Sequence, residues 1–274
     1  MKHRNRSIFV VMLALSLILT LLSGCTSKEE KNAAIAECTK EYDRVMDEQE
    51  ALEDAISQCD ELIEKAEPAY EPETLTALET ATTDARNSIV EDVEVPEGKI
   101  EEIQVATEKM ADISYVDALE KLNGAKEEYE TSVKIMQQIT NPSEEFVISR
   151  LKDVEGITNY SGVTEENDPN ELLHKAGGYN AAVVFEYDKV DPSQPYGDTL
   201  VEKGVDAGGT IEVFETVEEA EKRDAYISTF DGSPLRPGSH KVLGTIVIRI
   251  SDYLTATQQK ELEELLVKAF TAIN

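Results

Sequence analysis

The sequence predicts two structural classes in one chain. An N-terminal antiparallel helical bundle or stalk is followed by an α+β sandwich with a four-stranded, largely antiparallel sheet. Three observations carry this. Residues 28–67 contain neither Gly nor Pro, and their apolar positions recur at heptad spacing. Residues 26–140 hold 31 acidic against 11 basic side chains, as solvated helix faces do. After Pro142, glycine, β-branched and aromatic residues rise, and the runs "AAVVFEY" and "VLGTIVIRI" are almost wholly apolar, as central strands covered by helices are.

Ahead of the helices, Lys2, His3, Arg4 and Arg6 form a basic start, and residues 8–22 form an apolar run. That run is shorter than the roughly 20 residues of a spanning helix and has the length of a signal-peptide core. It ends in Leu22-Ser23-Gly24-Cys25. The tetrad resembles the lipobox of bacterial lipoproteins at all four positions. The resemblance implies that residues 1–24 are a lipoprotein signal peptide cut by signal peptidase II. It also implies that Cys25 carries a diacylglyceryl group and that the protein is extracytoplasmic, lipid-anchored at the cell membrane. A thiolate is the strong nucleophile that lipid transfer needs, and two acyl chains suffice for stable anchoring. The alternative is an unprocessed membrane helix with a chance cysteine.

The formal net charge is −30, and removal of residues 1–24 with Lys2, Arg4 and Arg6 takes it to −33. A chain so acidic repels phosphate backbones and anionic headgroups, which excludes nucleic acid as a partner. The membrane is then reached through the lipid.

Within 28–67, Ile35, Tyr42, Ile56 and Ile63 form one heptad set, with Cys38, Val45, Leu52, Cys59 and Ala66 the other. This is a long amphipathic helix with a coiled-coil-like seam, ended by Pro68 and Pro72. The seam faces either the later helices of the same chain, the simpler arrangement, or a partner chain. Cys38 and Cys59 lie three heptads apart on it, about 31 Å along one straight helix, whereas a disulfide needs Cα atoms within about 7 Å. Two free, packed thiols are expected in the monomer; a parallel dimer would pair Cys38 with Cys38. Further helices follow over 72–90, 99–111 and from about 115, where Ser114 and Asp117 have capping-box spacing. Asn141-Pro142 closes the last one and sets the boundary between residues 25–140 and 141–274. The stretch "AISQCDELIEKAEPAYEPETLTALETATTDAR", within 52–86, loosely resembles the FIVAR repeat of Gram-positive surface proteins. It lacks that repeat's aromatic at the start of the second helix.

In 141–274 a short helix, N-capped near Asn141 or Ser143, runs to about 154. Strands are expected at 157–164, 179–188, 209–215 and 241–250. Helices start at the N-caps Thr216 and Thr255. The strings "VTEENDPNELLHKAGGYNAAVVF", "GTIEVFETVEEAEKRDAYI", "FDGSPLRPGSHKVLGTIVIR" and "TATQQKELEELL" resemble a module of uncharacterised lipoproteins and surface proteins of Gram-positive gut bacteria. Some of those carry an extracellular-matrix-binding label. The resemblance implies an extracellular location and a domain boundary, and no catalytic activity or cofactor.

Glu166, Asp168 and Asn170 alternate like calcium-loop ligands. However, loop position six, normally Gly, is Glu171, and position twelve, normally a bidentate carboxylate, is Gly177. The stretch reads instead as an Asx-type turn, leaving those three only a weak metal candidate. Gly177-Gly178 and Gly208-Gly209 precede strands rather than helices, which marks turns and not phosphate loops. Tyr179, Tyr196, Arg236 and His240 form a candidate ligand patch by residue type. No nucleophile, base and metal set can be assembled, so the expectation is a non-catalytic module that binds cell wall, glycan or protein. The alternative is an extracytoplasmic enzyme or accessory subunit. A solute-binding lipoprotein fits poorly, because two similar α/β lobes are lacking.

Overall fold

The structure, a computed structural model, describes residues 28–233 and 237–273. The lipobox with Cys25, and Arg236 of the ligand patch, lie outside them. The chain is α+β, with a helical N-terminal part and a five-stranded antiparallel sheet. It divides into two compact units: 28–51 with 89–116, and 52–88 with 117–273. Among the described residues no helix is long and apolar enough to cross a membrane.

Helix α1 (Lys28–Lys65) is unbroken, as its freedom from Gly and Pro predicts. It ends where Ala66 turns to φ +43°, two residues before Pro68. In the first unit it buries Cys38 and Val45, and α3 (Ile100–Ala111) buries Ile103 and Met110. Arg44 bonds Glu41, Glu48 and the Met110 carbonyl (2.7 Å), while Glu48 accepts the Tyr115 amide (2.9 Å).

The second unit contains the rest of α1, then α2 (Glu73–Ser88) and α4 (Val116–Gln138). Leu52, Ile56, Cys59, Leu78, Leu122, Tyr129 and Val133 are buried here. Tyr129 donates to the Glu67 carbonyl (3.0 Å), and the Ser132 hydroxyl accepts the Glu71 amide (2.7 Å). Cys38 and Cys59 are both free and buried.

The sheet is made of β1 (Ile157–Gly162), β2 (Ala181–Tyr187), β3 (Gly208–Val213), β4 (Ser239–Leu243) and β5 (Ile246–Ile250), in spatial order β1-β2-β3-β5-β4. Five strands replace the expected four because 241–250 is not one strand. Gly244 and Thr245 break it as a two-residue hairpin turn. Gly244 has φ +59° and Thr245 is not among the positive-φ residues, the signs of a type II′ turn with Gly first.

Both faces of the sheet are covered, so β2 and β3 read as apolar runs rather than alternations. Side chains still alternate. Ala181, Val183, Phe185 and Tyr187 meet α5 (Glu144–Leu151) and α8 (Ala256–Thr271) through Val147, Leu151, Leu262, Leu266 and Phe270. Ala182 and Val184 face α7 (Val217–Ser228), which presents Ala220 and Ile227, and the loop that carries Leu173 and Tyr179. Ser143, Thr216 and Thr255 cap α5, α7 and α8, each accepting the amide three residues on, as their positions before apolar-periodic segments predict.

The boundary expected at 140/141 falls inside the second unit. Asn141, at φ +45°, and Pro142 do end the helix, but the core continues across them. Ile139 is fully buried among the sheet residues, with Ile135 and Met136 packed alongside. The Ile139 carbonyl accepts the Thr245 amide (3.1 Å), and the Thr245 hydroxyl accepts the Asn141 amide (2.7 Å). Gln138 donates to the Phe270 carbonyl (2.6 Å) and accepts from Arg150 (2.8 Å).

Ile139→Ala should therefore destabilise the sheet-bearing unit by about 2–5 kcal/mol, the usual range for a fully buried aliphatic truncation. Urea unfolding of the variant against the parent measures it. A loss below about 1 kcal/mol would show that the end of α4 is not part of that core.

Candidate functional site

The α7 side of the sheet carries an unusual concentration of polar groups. Glu212 sits within β3 and is 1% exposed. A buried carboxylate must be paired and hydrogen-bonded or it destabilises the fold. Arg223 meets it with a two-pronged contact, Nε to Oε2 at 2.7 Å and Nη2 to Oε1 at 2.8 Å, and Arg249 adds Nη1 to Oε1 at 3.0 Å. Local structure explains both partners. Thr216 starts α7 so that Ala220, Arg223 and Ile227, spaced three and four apart, share the inward face. Arg249 stands opposite Thr210 in the β3–β5 register, on the same face as Glu212.

The loop before β2 is fixed by a second carboxylate. Asp168 Oδ2 accepts the amides of Leu172 (2.7 Å) and Leu173 (2.8 Å); Oδ1 accepts the Asn170 amide (2.9 Å) and the Tyr179 hydroxyl. The Asn170 contact is the Asx turn that Asp168-Pro169-Asn170 predicts. Burial pushes the Asp168 carboxyl upward. Hydrogen bonds from Tyr179 and from the Leu173, Asn170 and Leu172 amides outweigh it and hold the group below its ordinary value. Burial, then the adjoining Asp168, push the Tyr179 phenol well up.

Between this loop and the sheet lies a recess of about 250 Å³. Its floor includes the buried Thr210 and Glu212, with Arg249 beside them. Its far wall is α6 (Leu200–Lys203) and the 3₁₀ turn Gly204–Ala207, which contributes Asp206. Exposed Pro169, Asn170 and Glu202 form its rim. The expected element order has no helix at α6, although Thr199-x-x-Glu202 is a capping box, with reciprocal contacts of 3.2 and 2.8 Å. Asp206 is partly buried, and its carboxyl is pushed up, first by burial and then by Asp252, with Arg249 opposing.

The sequence candidates are distributed differently from expectation. Tyr179 lines the recess but is 1% exposed, with its ring at 6.2 Å from Phe214 in the core. Tyr196 is 93% exposed, so these two tyrosines do not form one patch. His240 stands on β4 with Nδ1 2.6 Å from Asp224 and Nε2 3.4 Å from Asp231, a contact between the edge strand and α7. Of the weak metal candidates, Glu166 is exposed, Asp168 has its oxygens engaged by four protein donors, and Asn170 donates to Tyr179 (3.3 Å). Among the described residues no group of three or more His, Cys, Asp or Glu could hold a metal ion. Glu212, Arg223, Arg249 and Asp206 were not among the sequence candidates. The available signal was one Glu inside the apolar string "GTIEVF".

Asp168→Ala leaves three amides and a phenol without their acceptor, and should cost about 3 kcal/mol. The native carboxyl titrates below its ordinary value of 3.8, so its contribution is present above that value. It is lost as pH falls from about 3.8 through the folded value. Unfolding curves between neutral and acid pH should show an acid destabilisation in the parent that is reduced in the alanine variant. Parallel acid profiles would contradict the assignment.

No family model matches the chain, and neither a curated protein nor a solved structure matches it.

Proposed function

We propose that the protein is an extracytoplasmic lipoprotein, anchored at the cell membrane through a diacylglyceryl group on Cys25, that presents a non-catalytic binding module. Its ligand is a cell-wall, glycan or protein component. The observation that carries this reading is Leu22-Ser23-Gly24-Cys25 at the end of a short apolar run with a basic start. The net charge of −33 after residue 24 supports a lipid anchor, since such a surface gains nothing from anionic headgroups. Residues 25–140 supply the acidic helices that follow Cys25 in the chain.

Binding rather than catalysis is supported by the engagement of the buried groups. Asp168 is saturated by four donors, and Glu212 is held by two guanidiniums. Groups fixed in this way orient a ligand beside apolar walls, the usual construction of a binding recess.

Cys25→Ser removes the acceptor thiol. Cells expressing the parent should incorporate labelled palmitate into the protein and process it to the shorter form. The variant should take up no label and accumulate as precursor. Labelling of the serine variant would overturn the anchor.

A further inference from the structure

We propose that the recess between β3, β5 and the Gly204–Ala207 turn binds a small zwitterion of the free α-amino acid class. Asp206 receives the ammonium group, and Arg249 faces the carboxylate. The inference rests on the binding-module reading and gives it a place and a ligand chemistry.

Two opposite charges border the recess without forming an ion pair. Arg249 shares Glu212 with Arg223 and retains a buried Nε with no hydrogen-bond partner. Asp206, on the turn four residues before Thr210, carries a carboxylate that Asp252 repels and that Arg249 attracts without reaching ion-pair distance. Lys203, also at the recess, is engaged with Glu186 at 3.4 Å. A simple amine would engage Asp206 alone, and a simple carboxylate would engage Arg249 alone. A zwitterion engages both.

The third group is Thr210. It lines the recess, is 7% exposed, and its hydroxyl has no partner among the described residues. Among the described residues the buried polar atom left over beside the recess is Arg249 Nε, and buried polar side chains are hydrogen-bonded in the large majority of cases, so it marks the position of a ligand or water atom. Thr210 stands directly across from Arg249 in the strand register, which places donor, hydroxyl and guanidinium at one end of the β3–β5 pair. The remaining lining is aliphatic, with Val163, Val184, Val201 and Val205. A volume of about 250 Å³ lies below the roughly 300–1,000 Å³ of pockets for larger ligands. Apolar walls of this kind favour a short aliphatic side chain.

Calorimetric titration of residues 25–274 carrying Cys25→Ser tests the proposal. The ligands are alanine, valine and leucine in both hands, with isobutylamine and isovalerate as valine lacking one charge or the other. At least one amino acid should bind saturably, about tenfold or more tighter than either half-molecule. Asp206→Asn should weaken it about tenfold or more without lowering the melting temperature, because it removes a desolvated charge. Thr210→Val, close to the parent in volume, should weaken it several-fold. No saturable binding below about 10 mM, equal binding of a half-molecule, or full affinity in Asp206→Asn would overturn the proposal. Cell-wall fragments and purified surface glycans are titrated in parallel. If they bind while the amino acids do not, the site assignment fails and the module reading stands.

Discussion

A carboxylate buried within a β-strand constrains everything packed around it. Glu212 is 1% exposed in β3, and its ionised form is tolerated only because two guanidiniums reach it. One comes from α7 and one from β5. Breaking such an arrangement by removing a partner typically costs about 3–5 kcal/mol, a large part of the net stability of an ordinary domain. The pairing also penalises wrong registers. A one-residue slip of β3 would carry Glu212 to the opposite face, away from Arg223 and Arg249 and into the apolar cluster of Val183, Phe185, Ile248 and Phe270. Apolar residues alone discriminate less sharply, because β3 has buried side chains on both faces.

The same face explains why structure and recognition are hard to separate here. Asp168 and Glu212 are both buried carboxylates, yet their surroundings differ. Asp168 is neutralised by local dipoles from its own loop, and it serves to hold that loop against the sheet through Tyr179. Glu212 is neutralised by full charges from distant elements, and one of them, Arg249, also attracts Asp206. The loop gives the recess its near wall, and the ion cluster gives it a polarity.

Much of the architecture was legible in the sequence where local chemistry dominates. The long first helix follows from forty residues without Gly or Pro. The caps at Thr216 and Thr255 follow from hydroxyl side chains placed before amphipathic segments, and Ser143 is one of the two positions expected for the cap of α5. What was not legible depends on contacts between distant positions. Gly244-Thr245 reads as part of one apolar run because the residues on both sides are buried; its turn becomes evident only when β4 and β5 pair. Asn141-Pro142 does terminate a helix, yet a backbone rule is silent on whether the side chain two residues earlier belongs to the next core. The ion cluster joins residues 11 and 37 positions apart in the chain, a spacing with no local signature. Tyr179 was a reasonable candidate by residue type, but its hydroxyl serves a buried carboxylate rather than an external ligand.

The grip of residues 138–141 on the β4–β5 turn has a temporal consequence. The contacts made by Asn141, Ile139 and Gln138 span 104, 106 and 132 residues. As the chain emerges from the ribosome, the end of α4 must wait for nearly half of the sequence before its partners exist. Contacts this distant make folding slow relative to local helix formation. For a chain that has to be threaded through a membrane before it folds, as the proposed export requires, such a delay is useful. The helices can form and melt locally, while the sheet cannot close until the last elements arrive.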